Sequence, residues 1–155
     1  NGTITAATSS PVSIGASAIL ITSRTYAEKN SIQIKATIKG RSIVGVDWRR
    51  MGMGPLPATE NVLKNLDMTI NDIDVIELNE AFSAQALYVI KKGGWDASKI
   101  NLNGGAIALG HPLGCSGARI ITTLLSVMEQ KNSRTGLATM CIGTGQGIAT
   151  ILERD

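Results

Sequence analysis

The sequence predicts a single α/β domain in which a mixed β-sheet is covered by helices on both faces, giving three layers. Short apolar runs typical of strands alternate with longer segments whose apolar residues recur at helical spacing. The chain ends in two apolar runs joined by a glycine-rich turn, which favours a closing hairpin and therefore a mixed sheet. With 155 residues, 43% of them hydrophobic, the chain is long enough for one domain and too short for two ordinary ones.

The domain boundary and the elements follow from composition and periodicity. Residues 1–15 are small and polar and predict an incoming loop segment, so the domain is expected to span residues 16–155. The predicted strands are 16–21, 32–46 (one long half-buried strand or a pair), 74–78, 137–142 and 148–152. The predicted helices are 23–29, capped by Thr22 or Ser23, 58–66, 80–91, capped by Asn79, and 118–129. Loops rich in glycine or proline are predicted at 51–57, 101–117 and 143–147.

Composition argues against several classes of protein. The formal net charge of +3 is mild and the basic residues are scattered, without the basic stripe and stacking aromatics expected of nucleic-acid binding. Two cysteines, Cys115 and Cys141, are too few for a disulfide framework or a cysteine-rich zinc site. No run approaches the roughly 18 apolar residues of a membrane span, so we expect none, and we expect a reducing, cytoplasmic location.

A first candidate site follows the strand predicted at 74–78, where Asn79, Glu80, Ala81 and Phe82 stand at a strand-to-helix junction. Open α/β sheets bind ligands at the carboxyl ends of their strands, so an amide side chain here can contact a substrate. Asn is also a leading helix N-cap residue, and an acid in the first turn suits the helix dipole. The sequence leaves both interpretations open.

A second candidate site is the glycine-rich segment 103–114, which contains His111, the only histidine of the chain. Pro112 disfavours helical geometry at His111, and the glycines on both sides leave room for the ring to face a ligand. An imidazole is suited to proton transfer because its ordinary pKa lies near neutrality. A single histidine is equally compatible with a surface or structural role.

A third candidate site begins at Cys141, which ends a predicted strand and is followed by alternating glycines at 143, 145 and 147. Successive backbone N–H groups in such a turn can bind an oxyanion. The alternative is an inert core cysteine before a bulged hairpin, since free cysteine commonly packs as a small hydrophobic residue. The turn matches neither the dinucleotide-binding motif nor the P-loop.

Taken together, three phrases resemble the carboxy-terminal signature loops of the thiolase family. They are NEAF at 79–82, NGGAIALGHPLG with SGAR at 103–119, and LATMCIG with GQG at 137–147. The resemblance covers essentially the whole chain, with GTITA at 2–6 and MGPLPA at 53–58 as further landmarks. It is greatest to the branch that acts in bacterial fatty-acid β-oxidation. It implies the thiolase-like fold and acyl transfer, in which a 3-ketoacyl-CoA and CoA give acetyl-CoA and a shortened acyl-CoA.

The resemblance also implies roles for individual residues. His111 matches the histidine that takes the proton of the nucleophilic cysteine and that stabilises the thioester enolate oxygen, aided by a water held by Asn79. Cys141 matches the second cysteine, which protonates the leaving enolate and deprotonates the incoming thiol, and the N–H of Gly143 matches one arm of the oxyanion hole. Coenzyme A is implied as a substrate, with no cofactor and no metal. Contacts to it are implied for Ala6, Ser10, Ala81 and Phe82.

The chain departs from the family pattern in two places. Ile14 precedes Gly15 where the family usually has Asp-Gly, which puts one loop contact in doubt. Neither Cys115 nor Cys141 stands in the motif of the nucleophile, and Cys115 is interpreted as packing against the following helix. We therefore expect the nucleophile on a missing amino-terminal thiolase half, and we expect this chain alone to be inactive.

The implied partners are an acyl-CoA, CoA, the missing amino-terminal half, a second copy in a homodimer and the hydratase/dehydrogenase subunit of β-oxidation. Three alternatives stay open: a fragment of a biosynthetic acetoacetyl-CoA thiolase, a self-contained hydrolase using Cys141 and His111, and a non-catalytic assembly module. If the three loops form one site, Asn79, His111 and Cys141 are expected to converge on a single cleft.

Overall fold

The structure is a computed structural model that describes residues 2–154, and these residues contain one four-stranded mixed sheet. Its strands are β1 (Thr37–Gly45), β2 (Val75–Leu78), β3 (Thr135–Ile142) and β4 (Gln146–Glu153). They lie in the order β1-β4-β3-β2, with β4 antiparallel to both of its neighbours and β2 parallel to β3. The predicted mixed sheet and its closing hairpin are confirmed.

Helices connect the strands. Across the described residues the α-helices are α1 (Arg24–Lys29), α2 (Pro55–Asn65), α3 (Ser83–Gly93), α4 (Ala106–Leu109) and α5 (Leu113–Gln130). Short 3₁₀ helices span Ala6–Thr8, Trp48–Met53, Ile70–Asp72 and Ala97–Lys99. The predicted cap of α1 is confirmed, because the Ser23 hydroxyl accepts a hydrogen bond from the backbone N–H of Tyr26 at 3.2 Å.

Two apolar cores lie on opposite faces of the sheet and make the predicted three layers. On one face α2 and α3 pack with Leu78 of β2 and Leu137 of β3. On the other face Leu124 of α5 packs with Val75 and Ala138 of the same two strands. All five side chains are at most 4% exposed, and each fully buried leucine stabilises the fold by about 2 kcal/mol.

The segment 16–21 is not the buried strand that its apolar run predicts. It has no strand pairing, and Leu20 and Ile21 are 72% and 70% exposed. Its attachment to the body includes a contact of 3.3 Å between the hydroxyls of Ser17 and Thr122 on α5. An apolar run signals burial, but a strand also requires a neighbour to accept its backbone hydrogen bonds, and the described residues supply none here. The region 32–46 likewise contains a strand only at Thr37–Gly45.

Asn79 does not cap the helix that follows β2, contrary to the prediction. The helix begins four residues later at Ser83, with Phe82 at the N-cap position and no side-chain cap. Asn79 instead prolongs the pairing of β2 with β3, since its N–H donates to the carbonyl of Thr139 at 3.0 Å. Its side chain is 1% exposed and turns toward His111.

Proline accounts for two further differences. The predicted loop 51–57 is mostly helical, and α2 begins at Pro55 rather than at residue 58. The predicted loop 101–117 contains α4 and the first turns of α5, which begins directly after Pro112. Proline is well tolerated at the start of a helix, because the N–H group that it lacks would have no partner within the helix there. In both places proline therefore marks the start of a helix rather than a loop.

A close approach of two backbones holds the start of α2 against β4. A Cβ atom added at Gly147 would overlap the carbonyl group of Gly54. A Cβ added at Gly54 would lie 2.8 Å from the Cα of Gly147. Both positions therefore require glycine for space, and the contact fixes α2 on the sheet.

Gly147→Ala is expected to lower the free energy of unfolding by about 3 kcal/mol, because neither backbone can yield without breaking sheet hydrogen bonds. The matched control is Gly117→Ala in α5, where an added Cβ meets nothing within 4 Å. Alanine favours a helix over glycine by up to about 1 kcal/mol, so the control is expected to be neutral or stabilising. Urea unfolding followed by circular dichroism measures both, and equal stabilities of the two variants would contradict the close approach.

Candidate active site

His111 lies in a short loop between α4 and α5 that is held by the incoming segment. Its backbone N–H donates to the carbonyl of Pro11 at 3.3 Å. The preceding Gly110 has φ +99° and would carry a Cβ into the hydroxyl of Ser13, so both its conformation and its space require glycine. Pro112 is the N-cap residue of α5. The loop thus presents the imidazole at the amino end of that helix.

The imidazole of His111 touches two polar side chains from different elements. Nε2 lies 3.4 Å from Nδ2 of Asn79, the residue that follows β2. Nδ1 lies 2.6 Å from the hydroxyl oxygen of Ser116, which is 0% exposed in the first turns of α5. Both ring nitrogens therefore have a neighbour, and the ring orientation is fixed between the sheet and the helix.

The surroundings of His111 favour its neutral form. Partial burial lowers its pKa below the ordinary value, and the positive charge of Arg119 lowers it further. A neutral imidazole has one nitrogen with a free lone pair and can accept a proton.

Asn79 has an unsatisfied group. Its Oδ1 is buried and has no hydrogen-bond partner within residues 2–154. Buried amide oxygens normally accept a hydrogen bond from protein or ordered water. The amide can therefore bind a further donor beside His111.

Cys141 reaches the same edge of the sheet from the neighbouring strand. Leu78 of β2 is in register with Thr139 of parallel β3. Asn79 comes one residue after this pair and Cys141 two residues after it, so both lie at the carboxyl ends of neighbouring strands. Cys141 is 5% exposed, and burial raises the pKa of its thiol. Within the described part of the chain no hydrogen bond joins it to Asn79 or His111.

The two sides of this edge differ. Cys141 and Leu137 stand on the same face of β3 by strand alternation, which is the face covered by α2 and α3. His111 and Ser116 belong to the α5 side. The structure joins Asn79 to His111 directly. Among residues 2–154 Cys141 has no hydrogen bond with either side chain, so the convergence expected of the three residues is seen for Asn79 and His111 only.

Gly143 follows β3 in an exposed turn. Nothing lies within 4 Å of a Cβ added there, so its surface is open. Thr144 and Gly145 follow with φ +70° and +92°, and the carbonyl of Gly145 accepts from the N–H of Val46 at 2.8 Å. The turn that carries Gly143 is thereby anchored to the end of β1.

The residues expected to contact coenzyme A fall into two groups. Ser10 donates to the carbonyl of Ala81 through its N–H at 3.0 Å and through its hydroxyl at 3.2 Å, and Ser9 bridges to Phe82. These contacts bring three of the four residues into one surface beside Asn79. Ala6 lies apart from them in the exposed 3₁₀ helix of the incoming segment.

Glu80 organises the glycine-rich loop. Its carboxylate accepts from Nδ2 of Asn101 at 3.2 Å and from the N–H of Ile107 at 3.1 Å, at the start of α4. A Cβ added at Gly105 would collide with this carboxylate. The second residue of the NEAF phrase thus anchors the loop that leads to His111.

Sequence reasoning missed three buried polar groups behind His111. Besides Ser116 they are Glu77 and Arg119, whose Oε1 and Nε atoms are buried without partners among residues 2–154. Burial raises the pKa of Glu77 to about 7, Arg119 opposes this shift and Glu80 adds to it. The one signal in the sequence that could have indicated them is Glu77, the only charged residue of the apolar strand VIEL.

The described residues were also compared with the requirements of a metal site and of a membrane span. Residues 2–154 contain no cluster of histidine, cysteine and acidic side chains that could hold a metal ion. Among the helices described, none is long and apolar enough to cross a membrane.

The fold agrees with comparisons to known proteins. The sequence model of the thiolase C-terminal domain matches residues 32–154, and the chain belongs to the thiolase family. It is 60% identical to the 3-ketoacyl-CoA thiolase of Vibrio vulnificus (strain YJ016), over 99% of this chain and 41% of that protein. It is 57% identical to the 3-ketoacyl-CoA thiolase of Shewanella sp. (strain ANA-3), with the same coverage. The chain thus spans about two fifths of the length of these relatives.

Solved structures give the same result. The crystal structure of human mitochondrial 3-ketoacyl-CoA thiolase superposes with a TM-score of 0.91 at 37% identity, covering 99% of this chain and 39% of that one. The same human enzyme in complex with CoA matches with equal values. The predicted thiolase-like fold is confirmed.

Arg119→Gln is expected to raise the pKa of His111, because it removes a neighbouring positive charge that disfavours the imidazolium. The value is expected to stay below about 6.5, since burial persists. The control is Arg49→Gln, which removes an exposed arginine paired with Asp47 and is expected to change nothing. NMR titration of the single imidazole measures the pKa, and a fall or no change in Arg119→Gln would contradict the assigned cause.

Glu77→Gln is expected to stabilise the chain at alkaline pH. The pKa of Glu77 is raised from 4.5 to about 7, so the folded state retains a proton that the unfolded chain has lost, and stability falls as pH rises through this window. The difference corresponds to at most about 3 kcal/mol above pH 7. Urea unfolding at about pH 5 and about pH 8 tests this expectation, and a variant less stable than the parent chain at both pH values would contradict it.

Proposed function

We propose that the protein to which this chain belongs is a thiolase that cleaves a 3-ketoacyl-CoA with CoA, giving acetyl-CoA and a shortened acyl-CoA. The observation that carries the proposal is the contact of Asn79 and Ser116 with a neutral His111, at the sheet edge where Cys141 ends its strand. Relatives at 57–60% identity named 3-ketoacyl-CoA thiolase favour the degradative reaction over a biosynthetic one.

In this proposal His111 acts first as a base. A neutral imidazole at the carboxyl edge of the sheet takes the proton of a nucleophilic thiol, and the thiolate attacks the 3-keto carbonyl. The bond between the second and third carbons then breaks, leaving the acyl group on the nucleophile and an enolate on the departing acetyl-CoA. The imidazolium formed at His111 and a donor held by Oδ1 of Asn79 stabilise the enolate oxygen.

Cys141 completes the proton balance from the opposite side of the edge. Its raised pKa keeps the thiol protonated near neutrality, so it can give a proton to the enolate carbon. The resulting thiolate then takes the proton of the incoming CoA, whose sulfur attacks the acyl group and releases the shortened acyl-CoA. The nucleophilic sulfur leaves as a thiolate and regains its proton from the imidazolium of His111. The N–H of Gly143 faces the oxyanion of the tetrahedral intermediate in this scheme.

The raised pKa of the Cys141 thiol and its lack of a hydrogen bond to His111 argue against Cys141 as the nucleophile of a Cys–His hydrolase.

The nucleophile belongs, in this proposal, to the part of the longer relatives that this chain does not cover. Several large apolar side chains between residues 12 and 21 are exposed and available to that part: Val12, Ile14, Leu20 and Ile21. Exposed apolar side chains that cluster in one stretch of chain favour an interface there. A homodimer and a hydratase/dehydrogenase subunit are the further partners that we propose.

Coenzyme A is bound, in this proposal, along the surface formed by Ser10, Ala81 and Phe82, with Ala6 at its outer end. Support comes from their adjacency to Asn79 and from the CoA complex of the human relative. No cofactor or metal takes part, because thiol and imidazole groups carry every proton of the scheme.

The activity test uses a hybrid in which the amino-terminal portion of the Vibrio vulnificus relative is joined to this chain. The hybrid is expected to cleave a 3-ketoacyl-CoA, and His111→Ala and Cys141→Ala are each expected to lower its kcat by roughly two to four orders of magnitude. The control is Cys115→Ala, a buried thiol of α5 that the proposal does not use.

The chain by itself is expected to show no thiolysis and no acylation in intact-mass measurements. Stoichiometric acylation of Cys141 that depends on His111 would establish the hydrolase alternative instead. Full activity of both alanine variants in the hybrid would leave only the assembly role.

A further inference from the structure

The hydroxyl of Ser116 occupies a position that controls the protonation of His111. Its oxygen lies 2.6 Å from Nδ1 of the ring and 3.1 Å from the carbonyl of Pro112, and the residue is 0% exposed. A hydroxyl has one hydrogen to donate and two lone pairs that accept. The direction of these two bonds therefore decides which ring nitrogen holds the proton.

The position of Ser116 on the helix indicates that direction. Ser116 is four residues after Pro112, and a serine in a helix commonly donates to the carbonyl four residues before it. Its hydrogen is then directed away from the ring, and a lone pair faces Nδ1. The ring must donate in that contact, so the proton lies on Nδ1.

The other ring nitrogen gives the same result independently. The hydrogen-bonding contact of Nε2 is with Nδ2 of Asn79, an amide donor, at 3.4 Å. The reverse orientation of the amide would leave its N–H₂ group buried without an acceptor, and orphaned donors are rarer than orphaned acceptors. Nε2 therefore accepts, and its lone pair faces the carboxyl edge of the sheet.

We propose that Ser116 is a positioning residue that holds the neutral His111 with its proton on Nδ1. Nε2 then stays unprotonated, and it accepts the proton of the nucleophile when its long contact with Nδ2 of Asn79, at 3.4 Å, is released. The inference rests on the proposed function. An imidazole without such a partner exchanges between two tautomers, and the tautomer protonated on Nε2 cannot act as a base there. Fixing the ring nitrogen that faces away from the chemistry is a recurring way to tune a histidine.

The test uses the chain itself, because His111 is its only histidine. With isotope-labelled histidine, the nitrogen NMR shifts at about pH 8 report which nitrogen is protonated, well above the ordinary pKa of about 6.5. The parent chain is expected to show protonated Nδ1 and unprotonated Nε2. Ser116→Ala is expected to shift the population toward protonated Nε2 with the fold retained, since only one oxygen is removed.

The matched control is Ser126→Ala in the same helix. Ser126 donates to the carbonyl of Thr122 four residues before it, at 3.2 Å, and has no histidine beside it. It is expected to leave both ring shifts unchanged. Protonated Nε2 in the parent chain, or a tautomer unaffected by Ser116→Ala, would overturn the proposal.

The hybrid thiolase separates this inference from the proposed function. There Ser116→Ala is expected to lower kcat by about 10- to 100-fold with KM little changed, the usual effect of losing a partner that orients a working side chain. A hybrid of normal activity in Ser116→Ala would overturn the positioning role. A folded parent hybrid without any thiolysis would refute the proposed function, while the NMR result on the lone chain would still decide the tautomer.

Discussion

The parallel pairing of β2 with β3 is the constraint on which the rest of the arrangement depends. Two parallel strands must be joined by a crossover, and here all of residues 79–134 form it. Because α5 runs back against the strands before β3 begins, its amino end lies at the carboxyl edge of the sheet. The loop carrying His111 precedes α5, so the crossover returns the imidazole to the edge where Asn79 left β2. One connection therefore assembles groups that are far apart in sequence.

The electrostatics of the α5 layer depend on a balance of buried charges. Arg119 disfavours the imidazolium of His111, and it favours the carboxylate of Glu77. Burial opposes both charged forms, so it lowers the pKa of the histidine and raises that of the glutamic acid. The two groups respond to pH in opposite directions. Protonating the histidine weakens the folded state as pH falls, and ionising the glutamate weakens it as pH rises. The contribution of Glu77 is lost as pH rises from 4.5 to about 7, and that of His111 is lost as pH falls below 6.5, so the two oppose each other just below neutrality.

Sequence reasoning succeeded where a local signal was sufficient and failed where a distant neighbour decided the outcome. The closing hairpin and the apolar face of α5 were predictable, because alternation and helical spacing are properties of short segments. Asn79 was misassigned as a cap because its N–H bonds to Thr139 on another strand. Each candidate loop alone was ambiguous, and only the combination of three phrases indicated thiolase chemistry. Ser116 could not have been found from the residues alone, since its role depends on the geometry of one helical turn.

The position of β4 in the sheet has a consequence for biosynthesis. This strand lies between β1 and β3 in the sheet, although it comes last of the four in the sequence. The only strand that pairs with β1 among residues 2–154 therefore begins about a hundred residues later in the chain. A ribosome releases the chain from its amino end, and for most of translation the earlier strand has no sheet to join. Contacts of such long sequence separation form slowly. The nascent domain therefore exposes the unpaired edge of β1 until β4 has been synthesised.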